Sequence, residues 1–157
     1  MLLHCSSVLI ALALTQGACA TSTSTHSEEP DRCPVTETIE GTPPPQRGAS
    51  PFGIGTYHVN EDRSMWLYSR PWTAGISDKT IWIRPEGTVL KVAGRRLDGE
   101  APPLYVSLPP GYPTGFQAGS MTFPTEGCWE VRATAGKKEL VFVVTVAPAP
   151  TERLNGT

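Results

Sequence analysis

His58 is the first place to look for chemistry, because serine hydrolases set a histidine beside a hydroxyl and a carboxylate. Its nominal partners in the chain are Ser50, Glu61, Asp62, Ser64 and Ser69. None of these serines lies in the G-x-S-x-G turn that presents the nucleophile of α/β-hydrolases. We therefore expect His58 to be a surface or strand-end residue, and we expect neither catalytic residues nor an enzymatic activity.

Cys33 and Cys128 have two competing chemical interpretations, a metal site and a disulfide. Together with His58 and either Met65 or Met121 they would offer the ligand types of a copper centre. Such centres use a second histidine, however, and the chain has no C-x-x-C pair. Two cysteines in an exported domain favour one disulfide. We expect this disulfide, no metal and no cofactor, with a copper-binding domain that has free thiols as an alternative.

The tryptophans are the second chemical resource. If Ile81 and Ile83 face the core, Trp82 points outward, and Trp72 follows Arg70 and Pro71 in a segment that resembles a loop. An exposed tryptophan beside an arginine suits a contact with a carbohydrate, a peptide or a protein. The sequence therefore predicts a candidate binding surface made of Arg70, Trp72, Trp82 and Arg84. In the competing interpretation, both indole rings pack on a neighbouring loop.

Short apolar or alternating segments must position these residues. They recur between turn signals and predict strands at 54–59, 65–69, 80–84, 89–93, 104–108, 116–123, 128–134 and 140–146. Trp129, Val131 and Ala133 alternate with Glu130 and Arg132, and the turn at 135–138 then predicts a hairpin. Seven or eight short strands at this spacing are typical of an all-β, immunoglobulin-like sandwich.

The N-terminus has the features of an export signal. Residues 8–14 are an apolar run too short to span a bilayer, and Gly17 and Ala18 precede Cys19 as in a lipoprotein box. We expect a signal peptide at 1–18 and a lipid on Cys19 that holds the protein to a membrane. Ala18-Cys19-Ala20 also fits an ordinary signal-peptidase site, which would release a secreted protein.

The segment after Cys19 is polar, repetitive and rich in Thr, Ser and Pro, which predicts a flexible tether over residues 19–50. The sandwich is then expected at 51–147, with a disordered tail at 148–157. The 13 Lys and Arg residues against 15 Asp and Glu give a net charge of −2, without a basic patch. Nucleic acid is therefore not an expected partner.

The segment Phe123-Pro124-Thr125-Glu126-Gly127-Cys128-Trp129-Glu130-Val131 carries a resemblance to known proteins. It is similar to an F-P-x-x-G-C-W-E-V signature that closes an immunoglobulin-like domain in uncharacterised bacterial envelope lipoproteins and secreted proteins. The resemblance covers roughly residues 52–146 and implies an immunoglobulin-like fold. It implies no activity for this chain, because none is known for the group.

These observations together predict a non-enzymatic lipoprotein of the bacterial cell envelope, with an extracytoplasmic β-sandwich that binds or spaces a partner. The expected partners are the membrane, through the lipid, and an envelope protein, peptide or carbohydrate. A second alternative, beside the copper domain, is a secreted protease inhibitor that presents the rigid loop 109–113 to a cleft.

Overall fold

The computed structural model describes residues 33–47 and 53–150, and over these ranges the chain is all-β, as predicted. Each of the eight predicted segments overlaps a strand, and the described part has ten in all, because β1 and β4 are additional. The strands are β1 (Ile39–Gly41), β2 (Gly55–Val59), β3 (Trp66–Tyr68), β4 (Trp72–Thr73), β5 (Asp78–Ile83), β6 (Leu90–Arg96), β7 (Tyr105–Ser107), β8 (Phe116–Thr122), β9 (Gly127–Ala135) and β10 (Lys138–Ala147).

The strands form two sheets. One has six strands in the order β1-β2-β3-β5-β8-β7, and the other has four in the order β4-β10-β9-β6. Neighbouring strands are antiparallel except β4, which runs parallel to β10 at Val146 and Ala147. The predicted hairpin joins β9 to β10, and Gly136 has a φ of 62° at the first position of its two-residue turn. A hairpin turn needs positive φ there, which favours glycine.

The core lies between the sheets and follows the predicted alternation. Trp129, Val131 and Ala133 of β9 are fully buried, and β10 contributes Leu140, Phe142, Val144 and Val146. Trp82 and Leu67 face them from the six-stranded sheet. Sheets that pack face to face in this way define a β-sandwich.

The outer face of the six-stranded sheet carries a second apolar cluster. It centres on Tyr57, Trp66 and Ile83, with Ile39, Val59 and Phe116 packed against it. The ring of Trp66 lies close to Gly41, and Pro43, in the segment that follows β1, is buried. This proline-rich segment is therefore part of the folded structure.

The predicted domain boundary at residue 51 is wrong. β1 pairs with β2, and the backbone N–H of Thr36 donates to the carbonyl of Val143 at 2.9 Å, so the sandwich includes residues 33–47. The predicted tether was too long because these residues lack apolar alternation, and their order comes from tertiary partners. Several predicted features lie outside the described residues: the signal peptide at 1–18, Cys19, the tether at 20–32 and 48–50, and residues 151–157 of the tail.

Within the part of the chain that the structure describes, no helix has the length and apolarity needed to cross a membrane.

Candidate functional site

A concave site lies at the open side of the sandwich, where β2 and β3 of one sheet face β4 and β10 of the other. We call it the seam groove. Its volume is about 620 Å³, and its walls come from four separate parts of the chain. The lining residues are Val35, Thr36, Glu37, Thr38, His58, Ser69, Arg70, Trp72, Val144 and Thr145.

His58 is an inward-facing residue of β2 in this groove and is 2% exposed, so the predicted surface position is wrong. Its ring stacks on Phe142, with centroids 4.4 Å apart and an interplanar angle of 16°. Ser69 Oγ lies 3.3 Å from Nε2, while Nδ1 is buried without a hydrogen-bond partner among the described residues. Burial lowers the pKa of His58 to about 4, so the ring is neutral at pH 7.

The structure thus brings Ser69 to His58, but it does not complete a triad. A general base works best with a pKa near the operating pH and with a carboxylate on its second ring nitrogen. His58 has a much lower pKa, and Nδ1 lacks that carboxylate. Asp62 and Ser64 instead bond to each other in the β2–β3 turn, and Ser50 lies outside the described residues. The pair is therefore suited to hydrogen bonding rather than to nucleophilic attack.

The buried neutral His58 predicts a pH-dependent stability. The unfolded chain takes up a proton near pH 6.5 and the folded one only near pH 4, so the free energy of unfolding falls between these values. The expected loss is about 2 to 3 kcal/mol, from the size of the pKa shift. Urea unfolding at pH 7.0 and 4.5 measures it.

Two variants control this prediction. His58→Gln should remove most of the difference between the two pH values, whereas Ser69→Ala should keep it because the ring remains. Carboxylates whose pKa values are lowered by an arginine, such as Asp98 beside Arg96 and Glu130 beside Arg95, begin to lose their contribution as the pH falls through their ordinary pKa values, 3.8 for Asp98 and 4.5 for Glu130, so most of it remains at pH 4.5. An equal pH dependence in His58→Gln and the unmodified protein would contradict the assignment.

The predicted binding surface is not a surface. Trp82 is fully buried and Trp72 is 2% exposed, so the prediction that these rings are exposed is wrong. The inward residues of β5 are Thr80 and Trp82, while Ile83 belongs to the second apolar cluster on the opposite face. Both faces of this strand are covered, and the isoleucines therefore do not mark the core side.

The four predicted residues also separate in space. Arg70 and Trp72 line the seam groove, where the Arg70 guanidinium lies 3.2 Å from the Asp78 carboxylate. Trp72 packs edge to face on Phe123, and its Nε1 is buried without a partner among the described residues. Trp82 is in the core, and Arg84 is 4% exposed, so neither contributes to a contact surface with Arg70.

Arg84 instead braces the loop 109–114 from inside the sandwich. Its Nη2 donates to the carbonyl of Tyr112 at 2.8 Å and to Gln117 Oε1 at 3.3 Å. Gln117 Nε2 in turn donates to the carbonyl of Pro109 at 3.0 Å, so the loop is held at its start and at Tyr112. Burial lowers the pKa of Arg84, and no ion pair among the described residues includes it.

This brace predicts that Arg84→Met loosens the loop. The variant keeps an unbranched apolar chain but removes the donors to Tyr112 and Gln117, and it also removes the cost of a buried charge. We expect the backbone NMR order parameters of Gly111 and Tyr112 to fall below about 0.6 while global stability changes little. Order parameters unchanged from those of the unmodified protein would show that the prolines alone hold the loop.

Cys33 and Cys128 form the predicted disulfide, with Cα atoms 5.4 Å apart, so they are not the free thiols that the copper alternative requires. Met65 and Met121, the other proposed ligands, are fully buried in the core. Among the described residues no three His, Cys, Asp or Glu side chains are grouped to hold a metal. The copper interpretation is therefore wrong for these cysteines.

The disulfide itself lines a second groove of about 440 Å³, which we call the disulfide groove. Leu97, Asp98 and Thr145 contribute to its walls, and Asp98 accepts a hydrogen bond from the backbone N–H of Cys128 at 3.0 Å. Sequence reasoning found the two cysteines but missed both grooves. Their walls combine segments far apart in the chain, which no local pattern indicates.

The fold defines the chain as a two-sheet β-sandwich, and comparisons with known proteins add little to that. No protein-family profile matches the chain. A search of curated proteins found no match either. Among solved structures, the chain is similar to the crystal structure of a presumed lipoprotein from Bacillus anthracis, with 17% identity and a TM-score of 0.45. The match covers 71% of this chain and 86% of the other. Membership of the group with the F-P-x-x-G-C-W-E-V signature stays a prediction.

Proposed function

We propose that the chain is an exported β-sandwich domain, anchored through a lipid on Cys19 outside a bacterial membrane, that binds a small ligand in the seam groove. The observation that carries this proposal is the Cys33–Cys128 disulfide, because disulfides form and persist in oxidising compartments. The export signal predicted before Cys19 agrees with that compartment.

The position of the disulfide also suits a tethered domain. Cys33 is 14 residues beyond Cys19 (33 − 19), and the disulfide joins it to β9, which is paired on both sides. Tension on the tether would act on β9 through a covalent bond. It would not peel away the short β1, which has one neighbour in its sheet.

The seam groove supports the binding part of the proposal. Its volume is in the range of small-molecule sites, and its walls combine apolar groups with a few polar ones. The neutral His58 ring and the hydroxyls of Thr38 and Ser69 suit an uncharged ligand with hydrogen-bonding atoms. The walls also carry two charged residues, the exposed Glu37 and Arg70, of which Arg70 is paired with Asp78. The incomplete Ser69–His58 pair supports binding over catalysis.

Intact mass of protein purified from its own membranes tests the anchor. A diacyl or triacyl chain that starts at Cys19, without free thiols before reduction, is the expected result. An unacylated chain that starts after Ala20 would contradict the lipid anchor and indicate a secreted protein.

Native mass spectrometry of the same preparation tests binding, with Thr38→Trp as the control because Thr38 is an exposed wall residue of the groove. The unmodified protein should carry a non-covalent small molecule that the filled groove of Thr38→Trp does not. Equal masses for the two proteins, after correction for the substitution, would contradict binding in the seam groove and leave a spacer as the function of the domain.

A specific observation also favours a second candidate function, that of a secreted protease inhibitor. Arg84 and Gln117 hold the loop 109–114 at Tyr112 and Pro109, and a preorganised loop loses little entropy when it enters a cleft. Papain, subtilisin and chymotrypsin are suitable probes. Inhibition that Arg84→Met weakens would support this function, and cleavage within the loop without inhibition would exclude it.

A further inference from the structure

Residues 33–38, which we call the strap, connect the two sheets on the open side of the sandwich. At one end the strap lies along β10, where Thr36 N–H donates to the carbonyl of Val143 and Thr36 Oγ1 accepts from the N–H of Val143, both at 2.9 Å. At the other end the chain enters β1 of the six-stranded sheet. Val35 to Thr38 thus form a wall of the seam groove, next to His58 and Trp72.

The strap has few fastenings other than the disulfide. The strap continues into β1, which has only three residues. Before β1, the described hydrogen bonds in which an N–H group joins the strap to the rest of the sandwich are the two between Thr36 and Val143. Two hydrogen bonds in contact with water do not offset the conformational entropy of six ordered residues. The order of the strap therefore depends on the covalent bond at Cys33.

Two residues of the seam groove, His58 and Trp72, carry buried ring nitrogens without a hydrogen-bond partner among the described residues. These atoms are His58 Nδ1 and Trp72 Nε1, and each belongs to a residue that is 2% exposed. A buried polar nitrogen without a partner is costly, whether it donates, as Trp72 Nε1 does, or donates or accepts according to the tautomer, as His58 Nδ1 does. Water, or a ligand with hydrogen-bonding atoms, would satisfy both nitrogens once the wall moves. This cost lowers the stability of the closed groove relative to the open one.

The disulfide is accessible to a reductant. It lines the disulfide groove at the surface, and Cys33 is half-buried. A thiolate of a dithiol protein would attack Sγ of Cys33, and Cys128 would leave as a thiolate and take up a proton. The second thiol of the dithiol then resolves the mixed disulfide, so the dithiol supplies two electrons and becomes a disulfide while Cys33 becomes a thiol.

We propose that the Cys33–Cys128 disulfide is a redox latch, and that its reduction by an extracytoplasmic dithiol protein releases the strap and opens the seam groove to His58 and Trp72. The latch rests on the proposed function, because opening of the seam groove regulates binding only in a domain that binds its ligand there. Its test reads the accessibility of His58 and uses no ligand, so the two proposals fail separately.

Diethyl pyrocarbonate, which acylates accessible neutral imidazoles, is the probe. The full chain is treated before reduction, and again after reduction with dithiothreitol and removal of the reductant under nitrogen. The label on His58 is quantified by peptide mass spectrometry, with free N-acetylhistidine in the same solution as the reference rate. We expect the rate at His58 to rise at least tenfold on reduction. The variant Cys33→Ala/Cys128→Ala should react at the fast rate with or without dithiothreitol.

Hydrogen exchange of the β9 and β10 amides distinguishes a local latch from global unfolding. Under the latch, amides such as those of Val131 and Phe142 stay protected while the strap amides exchange faster. An unchanged rate at His58 after reduction would overturn the proposal. So would a faster rate accompanied by loss of protection throughout β9 and β10, because the disulfide would then hold the whole domain and not the strap.

Discussion

Replacement of Cys33 and Cys128 together by alanine should lower the free energy of unfolding by about 4 kcal/mol. The disulfide joins residues 95 apart, so it removes many conformations from the unfolded chain. On the chain-entropy model a closed loop of about this length contributes roughly 4 to 5 kcal/mol. Alanine adds no polar group to the buried site of Cys128.

Urea unfolding at pH 7 measures this effect, and the reduced, unmodified protein is the control. Both should unfold at a similarly lower urea midpoint, and both should stay folded at 25 °C without denaturant. A loss below about 1 kcal/mol in the double variant would contradict the prediction. It would mean that the unfolded chain is already compact, or that the disulfide adds native-state strain.

The β-sandwich could be predicted from the sequence because strand signals are local. The alternation of Trp129, Val131 and Ala133 with charged residues, followed by Gly136, defines a hairpin without reference to the rest of the chain. β4 has no such signal, since Trp72 and Thr73 form a strand only because β10 lies beside them. The same holds for β1, whose three residues pair with β2.

The binding surface was predicted wrongly because alternation gives the spacing of the two faces and not which face is inside. In β5 both choices bury apolar residues, with Trp82 in the main core and Ile83 in the second cluster. The proline-rich segment that contains the buried Pro43 follows β1 on the outer side, and composition alone indicated a flexible tether. Only the tertiary structure decides between these choices.

The candidate site was visible in part. His58 and Ser69 were both considered, and the structure places them 3.3 Å apart because β2 pairs with β3. No sequence pattern marked Val35 and Thr36 as groove residues. A residue can line a groove with any side chain, because only its position opposite the other wall in the folded chain is required. The neutral state of His58 also depends on its burial against Phe142, which is 84 residues away in the chain (142 − 58).

Trp129→Ala should lower the free energy of unfolding by about 3 to 5 kcal/mol, because it leaves a cavity at the centre of the core. Trp129 is fully buried on β9, and its ring packs edge to face on Phe123 with centroids 5.5 Å apart. Phe123 makes the same kind of contact with Trp72, so three rings form one packed unit. Removal of Trp129 would leave Phe123 with one of these two ring contacts.

Two further variants separate the contributions of Trp129. Its Nε1 donates to the carbonyl of Thr125 at 3.0 Å, and Trp129→Phe removes this bond while it keeps an aromatic ring, so we expect a loss of about 1 to 2 kcal/mol. Tyr105→Ala removes a ring that is 61% exposed and should change stability by about 0.5 kcal/mol or less. If the core depends on the packing of the Trp129 ring, urea unfolding should show the largest loss for Trp129→Ala, a smaller one for Trp129→Phe and the smallest for Tyr105→Ala. A Trp129→Phe loss as large as that of Trp129→Ala would assign the effect to the hydrogen bond that fixes the turn before β9.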